Sequence, residues 1–123
     1  MPHARSRFGT AGEDLAATYL EQKGYRILER NARTRVGELD LVCQLGRVLV
    51  FVEVKTRTSA AFGHPEESVT HAKQQHLVRA AHAYVSSHTA FRTTPFRIDV
   101  VAITMRPSGD PEILHIPNAV GTA

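Results

Sequence analysis

The chain has 123 residues, 42% of them hydrophobic, with a single cysteine and a formal net charge of +3. That length holds one compact domain with one core, and the apolar fraction excludes global disorder. Cys43 alone excludes an internal disulfide and a cysteine-rich zinc site; no apolar run approaches a membrane span and no signal-peptide core is visible, so a cytoplasmic protein is expected.

A pI near 9.4 favours a polyanionic partner only weakly. Clustering is more informative: Arg5 and Arg7 at the start, then Arg26, Arg30, Arg33 and Arg35, suit phosphate contacts. Residues 7–117 read as one domain, with 1–6 and 118–123 as flexible tails.

In chain order, Leu15, Ala16, Tyr19 and Leu20 give helical spacing over Thr10 to Lys23, and Gly24 is a stop signal. Tyr25 to Arg33 alternates loosely as a first strand. Glu38 to Gln44 and Val48 to Thr56 form two more, joined by a tight turn at Leu45-Gly46. Thr58 to Glu66 reads as a loop. Ser68 to Ser87 reads as a second helix whose apolar face carries Val69, Ala72, Leu77, Ala80, Ala83 and Tyr84. Phe96 to Met105 is a β-branched strand, and Glu112 to Ile116 a short last one. The order αβββαβ(β) implies an α/β fold with a mixed central sheet flanked by helices. A crossover through the second helix would set Phe96 to Met105 parallel to Val48 to Thr56.

Acids and a lysine interrupt the apolar strands. Glu38 and Asp40 share one strand face, and Phe51, Glu53 and Lys55 share another. A two-residue loop at Leu45-Gly46 pairs Gln44 with Arg47, Val42 with Leu49, Asp40 with Phe51 and Glu38 with Glu53. All four charged groups then project to one side; an odd loop would separate them. Facing carboxylates repel unless a cation or proton intervenes, and Mg²⁺ with its preference for carboxylate and water oxygens suits them. Lys55 has the reach to orient a water or steady developing negative charge. The set fits phosphodiester hydrolysis.

Structural readings stand beside these. Exposed strand acids and lysines form weak cross-strand ion pairs without any chemistry, and Glu38 fits a solvated strand end as well as a metal role. Glu13, three residues after Thr10, fits a capping box as well as a place at the edge of the apolar helix face, looking toward Asp40. Lys73 could snorkel out or lean over a phosphate; His76 reads as a packing residue, and His64, His71, His82 and His88 as solvent-facing. Arg97 and Asp99 read as an ion pair at a strand start.

Several runs together resemble the YraN family of small bacterial proteins, over about residues 7 to 105. They are Gly9-Thr10-Ala11-Gly12-Glu13, Gly24-Tyr25, Asn31 with Arg33, Gly37 to Val42, Val50 to Arg57, Lys73-Gln74 and Arg97 to Val101. The resemblance implies the PD-(D/E)XK nuclease fold, a restriction-endonuclease-like core nearest the archaeal-type Holliday junction resolvases. It implies that Glu13 is the helix acid, Asp40 the metal-binding aspartate, and Glu53 with Lys55 the E-X-K element, with Glu38 the acid of the GE-[IL]-D motif. Ala32 stands where an aromatic is usual and Ile98 where phenylalanine is usual; both look like packing positions.

A Mg²⁺-dependent endonuclease acting on DNA is therefore expected, with Mn²⁺ as a substitute and branched or single-stranded intermediates as substrates. Asp40, Glu53 and Glu13 are the expected metal ligands, Glu38 and Lys55 complete the catalytic set, and Arg33, Arg35, Arg57 and Lys73 are the expected DNA backbone contacts. The alternative is a DNA-binding or recombination-accessory module that cleaves nothing. A homodimer would suit a junction substrate.

Overall fold

The computed structural model describes residues 7–58 and 69–121, with side chains from Gly9 onward. The proposed tail 1–6, most of the loop to Glu66, His64 and the helix start at Ser68 lie outside the described residues.

The elements run α1 (Arg7–Gln22), β1 (Arg26–Arg33), β2 (Glu38–Leu45), β3 (Val48–Arg57), α2 (His71–Ser87), a 3-10 turn (Thr89–Phe91), β4 (Phe96–Thr104) and β5 (Glu112–Val120). The strands form one five-stranded sheet in the order β1-β2-β3-β4-β5. All neighbours are antiparallel except β3 and β4, which are parallel, as the α2 crossover requires. The expected αβββαβ(β) order and mixed sheet are observed.

The central strands are apolar on both faces because each face has its own core. Val42, Leu49, Phe51, Ile98 and Val100 pack with Leu77, Ala80, Ala81 and Tyr84 of α2. Leu41, Cys43, Val50, Val52, Val101 and Ile103 pack with Ala16 and Leu20 of α1. Ala32 and Ile98 are both buried in the α2-side core, consistent with packing roles. Cys43 is fully buried, and burial pushes its thiol up to about 12, so it stays an unreactive packing group.

Four expectations are corrected. The β2–β3 turn is Gly46-Arg47, flanked by Leu45 opposite Val48, and the register pairs Val42 with Phe51 and Leu41 with Val52. Gly46 takes φ +59 at the first central position, which a type II′ turn reserves for glycine, so Leu45 stays in its strand. The register moves by two residues, an even number, so along the paired rungs, Leu41 to Leu45 against Val48 to Val52, the facing of each side chain survives.

The last strand does not end at Ile116: it continues to Val120, because Ala119 and Val120 cover the α2-side core. Ala72 is exposed in the first turn of α2 while Ala81 is buried. His88 is not solvent-facing but stacks on Tyr84 with centroids 3.8 Å apart, its Nδ1 2.7 Å from the Tyr84 carbonyl oxygen.

Candidate active site

β2 and β3 stop pairing at Leu41 and Val52, the last rung of their ladder. Beyond it the Asp40 carboxylate takes over a backbone role: Oδ2 accepts the Val54 N–H at 2.8 Å. The parting strands open a cleft of about 360 Å³ lined by Gly9 and Glu13 of α1, Asp40 of β2, Glu53 to Thr56 of β3, and Lys73 of α2. Both helices reach it because it lies where the sheet splits.

α1 is seated there by a close approach. A Cβ on Gly12 would lie 2.0 Å from Thr56 Oγ1, so only glycine lets the helix lie on the end of β3. Glu13 follows at once and is buried, with its Oε1 3.8 Å from an Arg30 guanidinium nitrogen. α1 begins at Arg7, three residues ahead of Thr10, so Thr10 is inside the helix and the capping-box reading of Glu13 fails. Thr70 caps α2: its hydroxyl accepts from the Lys73 N–H. Lys73 then lies in the first turn, and its Nζ reaches 3.7 Å from Glu53 Oε2, with Lys55 Nζ at 3.8 Å.

Glu53 is 8% exposed. Burial, then the Asp40 charge and a hydrogen bond to Asp40, push its carboxyl up to about 8, against the opposing pull of Lys55 and Lys73. Neither ammonium is within hydrogen-bond distance, so the ion pairs are incomplete. Burial and the neighbouring Lys73 lower the pKa of Lys55, although Glu53 and Asp40 pull the other way. The cleft thus holds more carboxyl oxygen than it can leave ionised without a cation.

Not every expected residue converges. Glu38 does not line the cleft; it sits opposite Arg33 on β1, with Oε2 3.7 Å from the Arg33 Nε. Its expected partner Glu53 lies beyond the register correction, since Glu38 pairs toward β1. Arg33 and Arg35 are exposed near the β1–β2 turn and Arg57 ends β3 half-buried. Lys73, expected as a backbone contact, is in the cleft. His76 packs its ring against Gly37.

The expected Arg97–Asp99 ion pair is present, and it is the centre of a second polar cluster, on the α1 side of the sheet, whose other members were not expected. Asp99 is fully buried and accepts from Arg97 Nε at 2.9 Å, Tyr25 Oη at 3.2 Å and the Asn118 N–H at 2.9 Å, with His115 Nε2 2.8 Å away. The Asp99 hydrogen bond raises the Arg97 pKa further. Every oxygen of the carboxylate is occupied, so the group ties β5 and Tyr25, just ahead of β1, to β4. His115 is legible only by its inward place in the alternation of β5. A larger cavity of about 520 Å³ lies between α2 and the end of β5, among His71, Gln74, Gln75, Arg79 and Val120. Among the described residues that line it there is no carboxylate, so chemistry and not size selects the smaller cleft.

A mixed five-stranded sheet, split where acids and lysines from four elements meet, defines the class of this protein. Residues 12–103 match the family described as "Uncharacterised protein family UPF0102", and the chain belongs to it. It is 45% identical over 119 residues to a UPF0102 protein of Syntrophotalea carbinolica, covering 97% of this chain and 95% of that one. A UPF0102 protein of Chloroflexus aurantiacus is 47% identical, with 98% of each chain covered. One of Syntrophomonas wolfei is 52% identical, with 90% of this chain and 95% of that one covered. Among solved structures, that of Pyrococcus furiosus SfsA in complex with Ca²⁺ is similar with a TM-score of 0.38 and 16% identity, over 92% of this chain and 63% of that one. No helix among the described residues is long and apolar enough to cross a membrane.

Proposed function

We propose that the protein is a Mg²⁺-dependent endonuclease that hydrolyses DNA phosphodiester bonds, with branched or single-stranded intermediates as its substrates. One observation carries the reading: the carboxyl groups of Asp40 and Glu53 meet in one open cleft, with two lysines beside them. Buried acids in contact gain from a divalent cation, and a pure DNA-binding face gains nothing from them.

The donor set fits Mg²⁺ or Mn²⁺. It offers only hard oxygens, from Asp40 and Glu53 with Glu13 behind them, and Mg²⁺ binds through one or two carboxylates while keeping waters and room for a phosphate. When bound, such an ion supplies Lewis-acid polarisation of a phosphoryl oxygen and a more acidic water. Lys55, neutral more readily than an exposed lysine, orients the attacking water or takes its proton. Lys73, 42% exposed at the cleft mouth, meets the phosphate charge. Arg33, Arg35 and Arg57 contact the flanking DNA backbone.

A second reading, a DNA-binding or recombination-accessory module that does not cleave, is favoured by one fact. Among the described residues, no three histidine, cysteine or acidic side chains converge as a ready-made metal cage. The two readings separate on labelled linear, nicked, flapped and four-way DNA incubated with Mn²⁺ or with chelator. Cleavage that chelator stops and Asp40→Asn abolishes supports the nuclease; salt-sensitive binding without turnover supports the accessory module. Sedimentation of the protein with and without four-way DNA tests the homodimer.

A further inference from the structure

Asn31 stands in β1 between Arg30, paired with Leu41, and Ala32, paired with Leu39, which sets it across from Asp40. Residues two apart on a strand share a face. Here they do not. Arg30 and Leu41 lie on the α1 side, with Arg30 against Asp14 and Leu41 in that core, whereas Ala32 and Leu39 both lie in the α2-side core. The alternation therefore slips in both strands at one rung, the rung of Asn31 and Asp40.

Asn31 has φ 54, a left-handed value inside a strand, and asparagine tolerates that region where most side chains do not. Among the described residues its buried amide oxygen Oδ1 makes no bond, and the left-handed backbone is what sets this position apart in the strand. At the same rung Asp40 leaves the β3 ladder and turns its Oδ2 to the Val54 N–H.

We infer that Asn31 is the positioning residue for Asp40: its left-handed backbone rotates the β1–β2 ribbon and releases the Asp40 carboxylate from the sheet into the cleft. The inference rests on the proposed metal role of Asp40 for its functional meaning, but its geometry can be measured without any DNA.

The test compares Asn31→Gly, which keeps the left-handed region open, with Asn31→Ala, which does not. Two readouts are taken: hydrogen exchange of the Val54 amide, with Val50 and Val52 as references, and Mn²⁺ affinity. In Asn31→Ala the Val54 amide exchanges about tenfold faster or more, the change expected for losing a charged acceptor, while the reference amides hold. Mn²⁺ binding weakens by roughly 10- to 100-fold, as for other residues that orient a ligand. Asn31→Gly keeps parent values for both. The inference is overturned if Asn31→Ala leaves Val54 as protected as the parent, or if Asn31→Gly loses protection equally. Should Asn31→Ala fail to fold, Asn31→Gly decides alone: a parent-like Val54 amide supports the inference and an exposed one overturns it. A parent protein that cuts no DNA would remove the nuclease proposal and leave the Val54 result standing.

Discussion

Asp40 Oδ2 accepts the main-chain N–H of Val54 at 2.8 Å, so a β2 side chain binds β3 at the point where their backbone ladder has ended. Val54 lies between Glu53 and Lys55, and the contact therefore fixes the acid of one strand against the acid and lysine of the next. The sheet edge becomes a site through this one bond.

The two lysines should separate by role. Lys55→Met is expected to lower single-turnover cleavage by about 100-fold or more while leaving Mn²⁺ affinity in place. Lys73→Met should weaken DNA binding and reduce the slope of log affinity against log salt by about one unit. Salt-dependent binding and quenched-flow assays on both variants check this.

The Glu53 carboxyl, pushed up from 4.5 to about 8, gives a pH dependence with a definite sign. A raised folded pKa means the folded protein holds the proton more tightly than the unfolded one. Its contribution is fully present below pH 4.5 and is lost as pH rises through about 8. The metal-free protein should therefore lose stability across that window, and Glu53→Gln should flatten the loss. Divalent ions must displace the proton, so Mn²⁺ affinity should climb by up to about tenfold per pH unit before levelling off near the Glu53 value. Urea unfolding and calorimetry across that range test both.

Gly12→Ala puts a methyl 2.0 Å from Thr56 Oγ1 and must lift α1 off β3. The expected cost is about 1–3 kcal/mol, with metal affinity falling because Glu13 moves with the helix. Thr56→Ala in the same chain should recover part of both losses. A double-mutant cycle on stability and on Mn²⁺ binding measures the coupling.

Asp99→Ala leaves Arg97 without its buried carboxylate and unties the Asn118 N–H. Loss of one partner from a buried pair costs roughly 3–5 kcal/mol. The cleft is on other residues, so Mn²⁺ affinity at a temperature where the variant is folded should match the parent. Thermal unfolding beside calorimetry distinguishes this structural role from a catalytic one.

The strand and helix order was legible because each element carries its own period and its own stop signal. Facing along the paired rungs of β2 and β3 was legible too, since moving the hairpin by two residues preserves parity. What the sequence hid depends on three-dimensional neighbours. Glu38 turns to Arg33 because the β2–β3 ladder ends at Leu41 while the β1–β2 ladder runs on to Glu38. The reach of Lys73 follows from where α2 is capped, and α1 begins one turn earlier than its apolar pattern. β5 runs past Pro117 because an edge strand tolerates a missing N–H and its last residues cover the core. The left-handed turn of Asn31 has no periodic signature at all.

The central claim is that Asp40 and Glu53 together capture a divalent ion, and paramagnetic broadening by Mn²⁺ in an amide-resolved NMR titration tests it most directly. The account predicts that the amides of Asp40, Glu53, Val54 and Lys55 broaden first, and that Asp40→Asn loses this broadening while staying folded. Broadening that begins elsewhere, or that persists unchanged in Asp40→Asn, would contradict it.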